Sequence, residues 1–343
     1  MSRDSTLDIM KAIGIMFVVF GHIYSNSRFI YLFHMPLFFI ISGATMAYSL
    51  NNSIKHKFRT IMMPYFIFSI LSFGYWVLLE SKFRPVHETP IFMDYLGTLN
   101  IKVQQFINIF TAENGTNSFA YNIVLWFLPC LFIGNCIYLK IKATKLEIPI
   151  SIGLITLYYL WVEKQPCMPW CLNIAILTVP LIAIGYHFYK PILKYLKNIK
   201  LSFLVLLISL FALIYIYKTL PININMMNNQ IPSFYLFYIL SILGYIMVLS
   251  TSCIINKINK SHNILVYIGK NSLIIMCIHE PLKRILLTII SKLINIPTDI
   301  IRSDILMSLV TMVMVIAICL PLSYLIYHYL PWMIGKPIQK ISY

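Results

Sequence analysis

The sequence predicts an all-α integral membrane protein that crosses the bilayer about ten times. Three observations carry that expectation. Of the 343 residues, 59% are hydrophobic and 11% charged, about half the charged share of a soluble domain. Apolar runs recur from one end to the other, separated by short breaks rich in Lys, Asn, Ser and Pro. The net charge of +16 is carried by those breaks and not by a groove in which basic and aromatic residues alternate. An ordinary soluble enzyme is excluded, and so is a nucleic-acid partner; membrane lipids are the surroundings this composition suits.

A spanning helix needs roughly 20 apolar residues. Ten such runs lie at about 8–27, 29–50, 60–79, 121–140, 148–163, 172–189, 201–218, 233–255, 264–292 and 305–329. The first follows "MSRDSTLD", which has no cleavable-signal pattern, so the first span is read as retained. Pro36 interrupts the second run near its start, and Pro281 lies inside the ninth. Proline removes a backbone donor and kinks or restarts a helix, a defect tolerated where neighbours or a cavity satisfy the backbone. The ninth run is therefore expected to span to about His279 and to continue as an interfacial helix. The whole chain, 1–343, reads as a single transmembrane domain with no appended soluble domain.

Ten spans put both termini on one side. That side carries Lys55, Lys57 and Arg59; Lys140, Lys142 and Lys145; Lys190, Lys194, Lys197 and Lys200; Lys257 and Lys260; and Lys336 and Lys340. The positive-inside bias makes it cytoplasmic, in a multi-pass protein of a bacterial-type cytoplasmic membrane. Residues 80–120, which mix both signs of charge, are then external. One stretch is discordant: Lys283, Arg284, Lys292 and Arg302 fall on the outer side. Among the seven cysteines, Cys167 and Cys171 of "CMPWC" share an outer loop where a disulfide is sterically reasonable. They have no His or acidic companions, so no metal site is read. "YIGKNS", with Gly269 and Lys270, lacks the rest of a phosphate-binding loop.

The chemistry-bearing residues begin in the first span, "LDIMKAIGIMFVVFGH". From Lys11 to His22 is eleven steps, which returns to within ~20° of the same helix face after a rise of ~16 Å. A charge at bilayer depth is costly and usually faces an interior or a cavity. Asp8 stands three residues before Lys11, in reach for a pair along the helix. Taken singly, Lys11 reads as an amine snorkelling to headgroups and His22 as an interfacial residue. Together on one face they read as two ends of a passage. "FHMPLFFIISG" adds His34 on the outer side, either capping the restarted helix or joining His22. His279, at the outer end of the ninth span, stands equally between a polar interhelical contact and that cluster. His56, His87, His187, His262 and His328 read as structural.

These segments resemble acyltransferase family 3, in the branch of fucose 4-O-acetylase-like enzymes. "LDIMKAIGIMFVVFGH" followed by "FHMPLFFIISG" is similar to the family's opening. "KFRTIMMPYFIFS" (57–69), "LWFLPCLF" (125–132) and "YIGKNSLIIMCIHEP" (267–281) match later segments in order. The resemblance implies helices around a central cavity open to acyl-CoA. It also implies transfer of an acyl group, often acetyl, from cytoplasmic acyl-CoA to a hydroxyl of a cell-envelope glycan or lipid-linked saccharide. The family motif, a basic residue and then histidine after ten others, is Lys11 and His22 here. Arginine is common at the first position, and lysine offers a point charge without the bidentate fork. The fourth span, "LWFLPCLFIGN", lacks the acid that other branches carry, which leaves Glu280 as a candidate helper of the base.

On this reading His22 is the general base, histidine being the usual side chain for that task near pH 7, with His34 beside it. Lys11, Arg59 and Lys57 serve the CoA phosphates. Asn271, Ser272 or Lys11 donates to the thioester oxygen. An outer cleft of Tyr24, Tyr31 and Trp126, with His279 and Glu280, takes the sugar. Two other classes compete. A flippase for a lipid-linked saccharide suits kinked helices and intramembrane charge, but the prolines of the second and ninth runs do not align as repeats. A membrane sensor or scaffold has no output domain in the sequence to support it.

Overall fold

The computed structural model describes residues 4–80, 100–113, 115, 118–165, 168–231, 233–258 and 263–337. Cys167, His87 and His262 lie outside the described residues, and with Cys167 goes the disulfide expectation. Among the described residues the chain is helical, with one isolated bridge between Asn225 and Gln230 and no strand. The helices in order are α1 (Ser5–Ile23), α2 (Arg28–Tyr31), α3 (His34–Met46), α4 (Ile54–Lys57), α5 (Met63–Leu78), α6 (Ile101–Thr111), α7 (Phe127–Ile141) and α8 (Glu147–Leu160). They are followed by α9 (Leu172–Leu196), α10 (Ile199–Thr219), α11 (Phe234–Ile258), α12 (Asn263–Lys270), α13 (Ser272–Ile294), α14 (Thr298–Ser303) and α15 (Ile305–Tyr329).

Eight stretches are long and apolar enough to cross a membrane: Ser5–Ile23, Arg28–Met46, Ile54–Leu78, Ile123–Ile141, Pro169–Leu196, Ile199–Thr219, Phe234–Ile258 and Ile305–Tyr329. They account for eight of the ten predicted runs. The fifth run is the 14-residue α8, about 21 Å long. It still passes from end to end, since Glu147 at its start bonds His187 and Tyr158 near its finish bonds Asn229. The ninth run is the pair α12–α13, too charged to read as a plain lipid-facing span.

Its break lies at Lys270–Ser272 and not at His279, because α13 runs unbroken through Pro281. Pro281 has no N–H for the carbonyl four residues earlier, that of Cys277. The Asn122 side chain supplies the missing donor, its Nδ2 bonding the Cys277 carbonyl at 2.8 Å. A neighbouring segment thus repairs the helix, and no kink is required. Pro36 needs no repair. It occupies the first turn of α3, where backbone N–H groups have no partner in the helix anyway.

α1 is the central post, packed on α3, α11, α12, α13 and α15. α10 lies at the periphery against α11 and presents Phe203, Leu204, Phe211 and Tyr215 outward, as a lipid-facing helix should. α3 and α9 cross backbone to backbone through Gly43 and Gly185. A Cβ on Gly43 would overlap the Ile182 carbonyl, and one on Gly185 the Ile40 carbonyl. Small residues permit this approach in membranes, where close packing replaces the hydrophobic drive.

Between α4 and α5 the chain makes a π-helical turn, Phe58–Met62. Pro64, at the start of α5, cannot bond the Thr60 carbonyl, and the Met63 N–H reaches back five residues to Phe58. π-turns of this kind often mark functional positions. This one carries Arg59.

Candidate active site

At the end of α1 where the chain begins, a cavity of 760 Å³ opens between α1, α3, α12 and the π-turn. Lys11, His56, Lys57, Arg59, Lys270 and Lys336 stand in its wall, with Asp4 and Asp8 as the acids. Lys11 is held 3.9 Å from Asp8 by the expected pairing along α1. Gly269 brings α12 against that turn, since a Cβ there would overlap the Asp8 carbonyl. Inward the lining turns apolar: Phe38, Phe127, Leu131, Leu273 and Met276. A phosphate-bearing ligand with an apolar or thioester end suits that gradient.

At the other end of α1 three histidines converge. The ring centroids of His22 and His279 are 5.7 Å apart. Tyr31 lies edge-on to both His22, at 6.3 Å, and His34, at 4.8 Å. His34 and His279 are buried, and His22 only partly so. Each buried ring bonds the carbonyl four residues earlier through Nδ1: His34 to Ile30 at 2.9 Å and His279 to Ile275 at 3.0 Å. A carbonyl only accepts, so Nδ1 carries the proton and Nε2 keeps its lone pair in both.

Beside the histidines a polar basin of 490 Å³ is lined by Trp76, Glu80, Glu280, Lys283, Arg284, Asp299 and Arg302, among others. Lys283 Nζ donates to both Glu280 oxygens at 2.7 and 2.8 Å and to the His22 carbonyl at 3.2 Å. Arg284 joins Glu280, to which Nε donates at 3.0 Å, to Glu80, both of whose oxygens accept from Nη1 at 3.0 Å. Arg302 Nε donates to the Ile23 carbonyl at 3.0 Å. The end of α1 is therefore pinned by two cations from later helices.

Three helices link the two ends. Lys11 and His22 share a face of α1, Phe38 and His34 are four residues apart on α3, and Met276 and His279 three apart on α13. The apolar tip of the cavity thus lies about one helical turn, ~5 Å, from the histidines. The sequence agrees with this geometry: the family model described as an acyltransferase domain matches residues 4–328. The chain belongs to acyltransferase family 3. It is accordingly a membrane acyltransferase with an all-α, polytopic fold. No curated protein and no solved structure matches it.

In this acyltransferase family 3 chain, most of the expected residues fall into two groups. Lys11, Lys57, Arg59 and Ser272 line the cavity; His22, His34, His279 and Glu280 gather at the other end. Three expected residues lie outside both groups. Asn271 is buried at the α12–α13 junction, its Nδ2 donating to the Tyr267 carbonyl at 2.9 Å, and it is not among the residues lining the cavity. Trp126 is buried edge-on to Phe127, and Tyr24 stacks on Phe20 at 5.4 Å; neither lines the basin. Trp76 is the aromatic wall there.

Sequence reasoning missed Lys270, Lys336 and His56 at the cavity. Lys270 and Lys336 are about 260 and 325 positions from Lys11 in the chain, and no local signal marks their convergence. Of the histidines read as structural, His187 bonds Glu147 at 2.8 Å and His328 the Tyr324 carbonyl at 2.9 Å.

Proposed function

We propose that this membrane acyltransferase moves an acyl group, acetyl by family resemblance, from acyl-CoA to a hydroxyl of an envelope glycan or lipid-linked saccharide. The observation that carries the reading is α1 itself, with Lys11 in a basic cavity mouth and His22 in a histidine cluster ~16 Å along the same face. CoA phosphates sit among Lys11, Lys57, Arg59, Lys270 and Lys336, where charge-assisted bonds are strongest. The thioester threads past Phe38, Phe127 and Met276 toward the histidines. The acceptor enters through the basin of Trp76, Glu80 and Arg302, whose paired charges and aromatic wall suit a polyhydroxylated ligand.

His22 takes the hydroxyl proton as the oxygen attacks the thioester carbon. The C–S bond breaks, and the CoA sulfur leaves with that proton. A positioned base contributes on the order of 10²–10⁴-fold. His22→Gln keeps polarity but cannot titrate, so transfer should fall by about that factor while acyl-CoA binding persists. Envelope glycans compared by mass from the wild-type and deleted strains test the activity itself. An acyl-sized increment lost with the gene supports the reading; undelivered saccharide of unchanged mass would favour a flippase instead. Near wild-type transfer by an inserted, folded His22→Gln protein would remove the base from His22.

A further inference from the structure

The geometry points to His279 as the positioning residue that decides which nitrogen of His22 is basic. This inference rests on the reading of His22 as the base.

His279 is 0% exposed, and among the described residues its Nε2 has no hydrogen-bond partner. An orphaned polar atom at that depth is destabilising, and it is retained one ring away from His22. Its tautomer is set from behind: Nδ1–H donates to the Ile275 carbonyl, so Nε2 can act only as an acceptor. The centroids, 5.7 Å apart, are within about an ångström of the spacing that an N–H···N bond of ~3 Å allows. Such bonds are often long before substrate binds and tighten in the complex.

Burial assigns the roles. His279 is closed to a hydroxyl, whereas the His22 ring is partly exposed. When one His22 nitrogen donates to His279 Nε2, the other must hold the lone pair. That is the nitrogen offered to the acceptor. During transfer His22 gains the hydroxyl proton on this second nitrogen and later gives it to the CoA sulfur. His279 keeps its own protonation state throughout. The arrangement follows the rule that a base is oriented by a third group bonded to its far nitrogen, with an imidazole where a carboxylate is usual. Glu280 and Lys283 on α13, His34 on α3, Tyr31 on α2 and Arg302 on α14 are the other polar groups around the pair. The carboxylate of Glu280 is occupied by Lys283 and Arg284, which leaves the orienting task to His279.

The test separates an acceptor from a base. His279→Gln places an amide oxygen near the Nε2 position and should retain most of kcat. His279→Leu keeps bulk without an acceptor and should lose kcat by about 10²-fold or more, with the KM for acyl-CoA unchanged. Nitrogen-15 spectra of the His22 ring in lipid nanodiscs, with a non-hydrolysable acyl-CoA analogue and saccharide acceptor bound, supply a readout that packing alone would not move. A single tautomer is expected in the wild type and in His279→Gln, and a mixture in His279→Leu. A tautomer mixture already present in the wild type overturns the inference even if His279→Leu fails to fold. So does unchanged kcat in folded His279→Leu while His22→Gln is inactive, which leaves the role of His22 standing. Activity in His22→Gln instead removes the reading on which both depend.

Discussion

Lys11 is anchored to Asp8 and turned into the cavity wall, which distinguishes it from an amine that merely reaches for headgroups. Arg59 reaches the same wall from the π-turn, and Lys57 lies buried beside it. Each contact from such a cation to a CoA phosphate is worth about 1.5–3 kcal/mol. Lys11→Ala and Arg59→Ala should therefore weaken acyl-CoA binding roughly 10- to 100-fold each, measured by calorimetry on protein in nanodiscs. Lys270→Ala and Lys336→Ala, and Arg59→Ala toward the lower end of its range, should cost less than Lys11→Ala, because those three side chains are exposed and screened while Lys11 is half-buried. Unchanged affinity in Lys11→Ala and Arg59→Ala would return both residues to simple topology charges. The register of Lys11 and His22 was legible because eleven residues of one helix fix it. The convergence of His56, Lys270 and Lys336 was not, since it depends on how α4, α12 and the residues after α15 pack. Trp126 shows the same limit in reverse: its helix was legible, but the face it turns to the core was not.

Among the elements, α13 departs furthest from its sequence pattern. Pro281 signalled a break, and the pattern was right about the lost hydrogen bond but blind to its replacement. The donor comes from Asn122, 155 residues away, whose Nδ2 also meets Ser72 at 3.0 Å. The repair lies two residues before His279, so one amide holds the helix straight at the histidine that faces His22. Replacing Asn122 by Leu keeps the volume and leaves the Cys277 carbonyl buried without a donor. That should cost about 1–3 kcal/mol, seen as a lower melting temperature in detergent. Transfer should fall as well, because the turn bearing His279 loses its support. A variant of unchanged stability and activity would show that Pro281 needs no repair. The true break at Lys270–Ser272 was the harder one to see, because no proline stands there. It is set by Gly269 pressing α12 against the Asp8 carbonyl, a tertiary contact.

Across the whole molecule, the first described residues and those following α15 come to the same cavity. Asp4 accepts from the Tyr189 hydroxyl at 2.7 Å, Ser5 bonds Asn256 at 2.9 Å, and Asp4 and Lys336 line one cavity. Any even number of passes, the ten expected from the sequence or the eight long apolar helices alone, puts both on one side of the membrane. The discordant charges of 283–302 also find a physical account. The positive-inside bias concerns cations near span ends in short loops, whereas Lys283 and Arg284 are partnered by Glu280 and Glu80 within the fold. Arg302 is tied to the Ile23 carbonyl. Only Lys292 of that stretch is left to weigh against the many lysines of the opposite end, too few to reverse the orientation. The Lys11 end should thus be cytoplasmic and the His22 end external, so that donor and acceptor arrive from opposite sides. Single cysteines at Lys194 and Lys292, both exposed, can be challenged in intact cells with a membrane-impermeant maleimide. Lys292→Cys should label from outside, and Lys194→Cys only after the membrane is opened. Labelling of Lys194→Cys in sealed cells would invert the molecule, placing the basic mouth where no cytoplasmic acyl-CoA can reach it.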